Sequence, residues 1–420
     1  MTARRQAGEG GVSAYQTKTG TRYRIHWREP VDPEQPKATR RQRTKNGFQD
    51  KRSAAAELRT ILAALDTGRY VSPTDLTLGS YAGTWLATKR LAPSTEAMYR
   101  RYLRLHVLPH IGHLALKDAR PSTLAGLYRQ LETTGRRQIG HEGTSLSPNT
   151  VLKVHVLIGA LLQSAVDDQL IQTNPARHPR ANPPTPRQVR QAAPELHPWT
   201  GEELSRFLAF VEDRTEDPLR HAWALLAYTG LRRGELLGLR WGDLDMASRS
   251  LSVRRAIVEV RERGRPSRVV ESLPKGGRSR VVDLGRAALD VLRAHRTDVS
   301  QINVAMLGKD RPVFMRVDGL PFKPDAVLKQ FKRTQAAHNA GCPPGDVVPT
   351  LRVHDLRHTH ATLLLQAGVH PRVVQERLGH RSITVTLEIY SHVLPSSQRT
   401  AAEALDGVRR PIPKEARSGE

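Results

Sequence analysis

The sequence predicts a multidomain chain, mainly α with small antiparallel sheets (α+β). A length of 420 residues exceeds what one core usually organises. Apolar residues recur at three- and four-residue spacing over most of the chain, the period of amphipathic helices. Short alternating or β-branched runs occur in two separate places, near the N-terminus and past residue 250.

Residues 1–70 form the first expected unit. Tyr23-Arg-Ile-His-Trp27 and Thr39-Arg-Arg-Gln-Arg-Thr44 alternate as strands do, on either side of a turn-rich stretch from Pro30 to Pro36. The run Ser53–Leu65 consists of strong helix formers, with a serine near its start and Gly68 past its end. This segment carries 15 Lys plus Arg against 7 Asp plus Glu, so a three-stranded sheet with basic faces, packed on a helix, is expected. Arg40, Arg41 and Arg43 then either read a nucleic-acid groove or are merely solvated.

Residues 76–175 read as nearly all helix, over Leu78–Thr88, Pro93–Val107, Arg120–Thr133 and Ser147–Asp168. Ser94 after Pro93 and Ser147 before Pro148 mark two starts. Arg100, Arg101, Arg104, Lys117 and Lys153 fall on outer faces, where they either grip phosphates or face solvent. Residues 176–197 lie in a stretch of seven prolines that also holds Arg177, Arg180, Arg187 and Arg190, which predicts an extended basic linker without helix.

Residues 198–395 read as mostly helical with one sheet insertion. Leu251–Val260, Arg268–Glu271 and Arg280–Leu284 are β-branched runs broken by Gly264-Arg-Pro266 and Pro274-Lys-Gly-Gly277. The expectation is a three-stranded antiparallel sheet with Lys275 on an exposed turn. Residues 396–420 form a tail whose last twenty or so positions read as poorly ordered.

A formal charge of +25 and a pI near 10.9 favour a polyanionic partner, and the charge is spread along the length as suits a protein that tracks a phosphate backbone. A single cysteine, Cys342, excludes an internal disulfide and a cysteine-based metal site, in keeping with a reducing compartment. No apolar run is expected to reach the length that spans a bilayer, and the first residues lack the apolar stretch of a signal peptide. These features predict a protein of the bacterial cytoplasm, associated with the nucleoid.

The candidate chemistry lies in the third module. Thr229-Gly-Leu-Arg-Arg-Gly-Glu-Leu236 follows an apolar helix, so its glycine break puts Arg232 at the next helix start; Glu235 either orients that arginine or caps the helix. His354 and Arg357 share a helix face, where a guanidinium can take two phosphate oxygens and an imidazole can move a proton. Residues 363–379 read as helix, Ala-Gly-Val turn and helix, the pattern of a helix-turn-helix and the basis of a rival reading as a non-catalytic DNA-binding regulator. Aromatic residues at helical spacing are ordinarily core. Beyond residue 198, however, the only tyrosines are Tyr228, inside the apolar helix, and Tyr390, which is the candidate nucleophile.

The ordered set Arg232, Lys275, His354-x-x-Arg357, His380 and Tyr390 closely resembles the tyrosine recombinases, the phage-lambda-type integrases. The boxes Thr-Gly-Leu-Arg-Arg-Gly-Glu-Leu, His-Asp-Leu-Arg-His-Thr-His-Ala-Thr and Leu-Gly-His-Arg-Ser-Ile-Thr-Val-Thr-Leu-Glu-Ile-Tyr carry the resemblance over residues 198–395. More loosely, residues 76–175 resemble that family's helical core-binding (SAM-like) domain and residues 1–70 its arm-type DNA-binding domain. The resemblance implies a site-specific recombinase of a phage or integrative element, with Tyr390 attacking a DNA phosphate to give a 3′-phosphotyrosine. It assigns Arg232 and Arg357 to the phosphate oxygens, Lys275 to the leaving 5′ oxygen, with Arg278 and Arg280 of the same stretch as alternatives, and His354 and His380 to proton transfer and hydrogen bonding. It further implies no metal, ATP or other cofactor, double-stranded attachment sites as substrate, a homotetramer on DNA, and DNA-bending or directionality factors as accessories. Arg187 of the linker joins the candidate DNA contacts. A type IB topoisomerase shares the nucleophile logic but acts without a partner site.

Overall fold

The computed structural model describes residues 10–30, 40–67, 70, 75–137, 140–195, 197–262, 264, 266–380 and 382–383. The chain divides into two compact units, Met1–Ala193 and Pro194–Glu420.

The first unit opens with strands β1 (Gly11–Thr17), β2 (Gly20–Pro30) and β3 (Arg40–Phe48), an antiparallel sheet in that order, followed by α1 (Lys51–Asp66). Ile25 and Trp27 alternate onto one face and bury against Ala54 and Leu58 of α1. The helix begins three residues earlier than the serine suggests: Asp50 is the cap, its carboxylate accepting from Ser53 N at 2.7 Å.

The helices α2 (Leu78–Thr88), α3 (Pro93–Tyr102), α5 (Pro121–Thr134) and α6 (Pro148–Asp167) lie close to the predicted spans, with a π-helical turn at Leu103–Val107 and the short α4 (Leu108–Ile111) after α3. Leu78, Trp85, Leu124, Leu131, Leu157 and Leu161 are among the residues of their shared core. One expectation is corrected here. Alone among the described helices, α6 is long and apolar enough to cross a membrane, but Val151, Val154, Leu157, Ile158, Leu161, Leu162 and Ala165 bury its inner face against the other helices.

The predicted extended linker is also corrected. Residues 175–191 form two 3₁₀ turns (Pro175–Arg177 and Pro179–Ala181) and the short helix α7 (Pro186–Gln191). Proline sits in the first turn of each, where its missing N–H costs nothing, and Thr185 with Gln188 makes a capping box. Ala176 and Ala181 are buried in the helical core, which fastens this stretch to the first unit.

The second unit contains α8 (Gly201–Glu212), α9 (Arg220–Thr229), α10 (Arg233–Gly238), strands β4 (Leu244–Asp245), β5 (Ser250–Val253), β6 (Ala256–Val260), β7 (Arg268–Ser272) and β8 (Arg280–Asp283), then α11 (Arg286–Ile302), α12 (Pro324–Gly341), α13 (Asp355–Gln366) and α14 (Pro371–Leu378). Trp199, Phe207, Trp223, Phe314 and Phe331 fill its core around α9, a helix buried on nearly every side. The single predicted sheet is two: β4-β5-β8, and a hairpin of β6 with β7. The run Leu251–Val260 breaks at Arg254-Arg255, because Arg255 turns to donate to Asp243 Oδ2 at 2.5 Å, and the Asp243 side chain is only 3% exposed.

Candidate active site

The site is assembled where the ends of α9, α13 and α14 meet the start of β8. Gly230 caps α9 in the left-handed region, with φ of 65°, and a Cβ there would lie 2.7 Å from both the His360 ring and Leu378. The chain can therefore turn tightly enough to place Arg232 as the N-cap of α10. Both predicted uses of Glu235 hold at once. Its Oε2 accepts from the Arg232 backbone N at 2.9 Å, and its Oε1 accepts from Arg232 Nη1 at 2.8 Å.

A second guanidinium, not singled out from the sequence for this position, completes the carboxylate. Arg280 donates Nη1 to Glu235 Oε1 at 3.0 Å and Nη2 to Oε2 at 2.7 Å. Glu235 has a side chain 1% exposed; burial pushes its pKa up, but the hydrogen bonds and charges of Arg280 and Arg232 outweigh this and hold it down at about 2.

Arg357 is buried in the first turn of α13 and donates Nη1 to Gly230 O and Nη2 to Leu378 O, each at 2.7 Å. Arg232 Nη2 reaches the next carbonyl, Gly379 O, at 3.3 Å. Two guanidiniums from distant parts of the chain therefore converge on consecutive carbonyls. His354 stands just before α13, with the ring of His358 packed edge-on at 5.1 Å between centroids. Burial lowers the pKa of His354 to about 4, with the neighbouring His358 and Arg357 adding to it. Burial likewise lowers His380 to about 3, reinforced by Arg357, Arg232, His358 and His354, so these groups share one electrostatic neighbourhood. Gln375 holds His380 by its backbone, accepting from its N at 3.1 Å and donating to its O at 3.0 Å.

Lys275 sits on the exposed turn between β7 and β8, which closes through Gly277 N donating to Pro274 O at 2.9 Å. It lines a cleft of about 840 Å³ together with Arg278, Arg280, Arg372 and His380. The arginine cluster is thus preformed, whereas Lys275 stands at the cleft wall. Tyr390 and the tail 396–420 lie outside the described residues. Sequence reasoning passed over His358, one helical turn from His354, and offered Arg280 only as an alternative to Lys275. Among the described residues, no group of three or more His, Cys, Asp or Glu side chains could hold a metal ion.

The helix, turn and helix of residues 363–379 are present as the end of α13, Gly368 and α14. Most of α13 is buried, and Leu365, Val374 and Leu378 pack together with Ala361. Arg377 of α14 donates to Asp283 O, Tyr228 O and His360 Nε2 at 2.9, 3.1 and 3.1 Å, tying the second helix into the arginine site.

The phage integrase family model matches residues 199–397. That match spans most of the described part of the second unit. The chain is a site-specific recombinase, a DNA strand transferase by class. It is 28% identical to a XerC-like tyrosine recombinase of Caldanaerobacter subterraneus, over 85% of this chain and 89% of that one. It is 26% identical to the integrase of Mycobacterium phage L5, over 83% and 84%. Among solved structures, the Tn1549 transposon integrase in complex with a circular intermediate DNA overlays with a TM-score of 0.63 at 21% identity, over 79% of this recombinase and 99% of that chain. A lambda integrase dimer bound to a core site gives 0.52 at 17%, over 77% and 97%.

Outside the second unit, the candidate DNA contacts of the recombinase divide. Arg101, Arg104, Lys153 and Arg187 are exposed, and Arg100 is exposed but paired with Glu96 at 2.7 Å. In the sheet, register puts Arg41 opposite Glu29 and Arg43 opposite Trp27, on the side facing α1, and Arg43 donates to Glu29 at 2.6 Å. The opposite face carries Arg24 and Arg28, both exposed. Arg41 is exposed and Arg40 pairs with Pro30 in the same register, and one residue of register exchanges the two faces of a strand.

Proposed function

We propose that this recombinase cuts and rejoins double-stranded attachment sites through Tyr390. The observation that supports the reading best is the convergence of Arg232 and Arg357 on the adjacent carbonyls of Leu378 and Gly379. Two cations so placed can take the non-bridging oxygens of one phosphate as charge builds on them, which accelerates the step more than it tightens ground-state binding. The Tyr390 oxygen forms a bond to phosphorus while the bond to the 5′ oxygen breaks, and Lys275 delivers its proton to that oxygen. His354, neutral near pH 7, takes the tyrosine proton, and His380 hydrogen-bonds the phosphate. The free 5′-hydroxyl of a partner strand then reverses the step on the new junction. The bond energy stays in the phosphotyrosine, so the reaction needs neither ATP nor a metal ion.

The DNA-bound lambda and Tn1549 integrases support a duplex partner, and the phage and transposon relatives support an origin in a mobile element; assembly of a homotetramer on paired sites belongs to the same reading. Accessory bending or directionality factors belong to the same reading. For the N-terminal sheet, the face we assign to DNA is that of Arg24 and Arg28.

The test is covalent capture. A randomised pool of nicked duplexes is incubated with the protein in EDTA, and detergent-resistant adducts are recovered and sequenced. The wild type traps a defined sequence, and Tyr390→Phe traps none while still binding it. Binding without any adduct from the wild type supports the DNA-binding regulator instead.

A further inference from the structure

Arg280 lies five residues past Lys275, lines the same cleft and is the first residue of β8, yet its side chain is largely buried. It is 12% exposed and grips Glu235 with two parallel hydrogen bonds, while its Nε donates to Arg377 O at 2.9 Å. Glu235 accepts four hydrogen bonds in all, two from Arg280, one from the Arg232 side chain and one from the Arg232 backbone. That fills about the four lone-pair sites a carboxylate offers. The Arg232 guanidinium therefore holds Glu235 through Nη1, and its Nη2 is directed to Gly379 O, beside the carbonyl that Arg357 binds.

Taking Arg280 away changes both geometry and charge. Two acceptor positions on a buried carboxylate lose their donors, and the nearest group able to fill them is Arg232, which then turns both nitrogens toward Glu235. The trio of Arg232, Arg280 and Glu235 carries a net charge of +1; the remaining pair carries none, so the attraction for a phosphate falls as well. The fit at Gly379 is equally close: its φ is 67°, and a Cβ there would lie 3.1 Å from Arg280 Cδ.

We propose that Arg280 is a positioning residue for strand cleavage, sharing the buried Glu235 carboxylate with Arg232 so that Arg232 keeps part of its guanidinium turned to the scissile phosphate. This rests on the reading of Arg232 as a phosphate ligand. In this role Arg280 acts through Glu235, the group it grips.

The experiment uses the full chain and a nicked duplex obtained by covalent capture on the wild type, measuring single-turnover adduct formation, DNA affinity and melting midpoint for Arg280→Met, Arg280→Lys, Glu235→Gln and the pair Glu235→Gln/Arg280→Met. Arg280→Met is expected to cleave on the order of 100-fold more slowly, the loss typical of a misplaced transition-state donor, with affinity within about threefold. Arg280→Lys recovers only part of the rate, because an ammonium cannot span both oxygens. In the Glu235→Gln background the charge that needs Arg280 is gone, and adding Arg280→Met costs less than about threefold. This comparison holds even if Arg280→Met alone does not fold, since the pair keeps the net charge of the trio at +1, as in the wild type. A loss of tenfold or more in that background overturns the proposal, as does near-wild-type cleavage by Arg280→Met. Failure of the wild type to form any adduct with Tyr390 sinks the underlying reading instead.

Discussion

A recombinase site built mainly from arginine depends on what keeps each guanidinium from collapsing onto the nearest carboxylate. Here the buried carboxylate of Glu235 is shared by two arginines. Gly230 is the other residue on which the arrangement turns, because its carbonyl accepts from Arg357 and its left-handed backbone admits no Cβ beside His360 and Leu378. Gly230→Ala is expected to cost at least about 2 kcal/mol, combining strain at positive φ with overpacking, and urea unfolding checks it. The motif around Arg232 was legible as residue types. The partnership with Arg280 was not, since 45 residues separate the members and only the return of β8 brings them together.

At the scale of elements, the site joins one preformed part to one carried on a turn. The ends of α9, α13 and α14 are locked by Arg357 and Arg377, whereas Lys275 rides on the turn between β7 and β8, with Gly276 and Gly277 both at positive φ. Lys275→Ala is therefore expected to lower adduct formation on the order of 100-fold while leaving the melting midpoint and DNA affinity nearly unchanged, the signature of a lost general acid. Helix α8 offers a contrasting test away from the chemistry. Thr200 and Glu203 form its capping box, and Thr200→Ala is expected to cost about 1 kcal/mol in a chemical melt, with adduct formation unaffected. Element types read well where the period was long, as in α2, α5 and α6. Reading failed over 176–197, where proline density masked short helices that begin with proline, and over 251–260, where one ion pair splits a continuous β-branched run.

For the whole molecule, the buried histidines set the response to acid. Burial holds His295, His354 and His360 down to about 4 and His380 to about 3, against 6.5 for an ordinary imidazole. Between those values the unfolded chain binds more protons than the folded one, so stability present above pH 6.5 is lost progressively as pH falls toward 4. A melting midpoint that falls from pH 7 to pH 5 is the expected result, and a flat profile contradicts it. The net charge of +25 acts in another way. Affinity for duplex DNA should drop steeply with salt whatever the sequence, and a plot of log affinity against log salt gives the number of phosphates neutralised.

The sequence by itself determined the class of the protein, because the spaced motifs of residues 198–395 are local strings whose residue types survive any uncertainty in packing. It also determined most helices, whose apolar period is a local property. Only the tertiary structure decided which arginines of the first sheet face α1, that residues 175–191 fold onto the helical core, and that Arg280 divides Glu235 with Arg232. Each of these depends on register or on contacts between residues far apart in the chain, and a side chain's partner across such a distance is set by how the cores close, not by its neighbours in sequence.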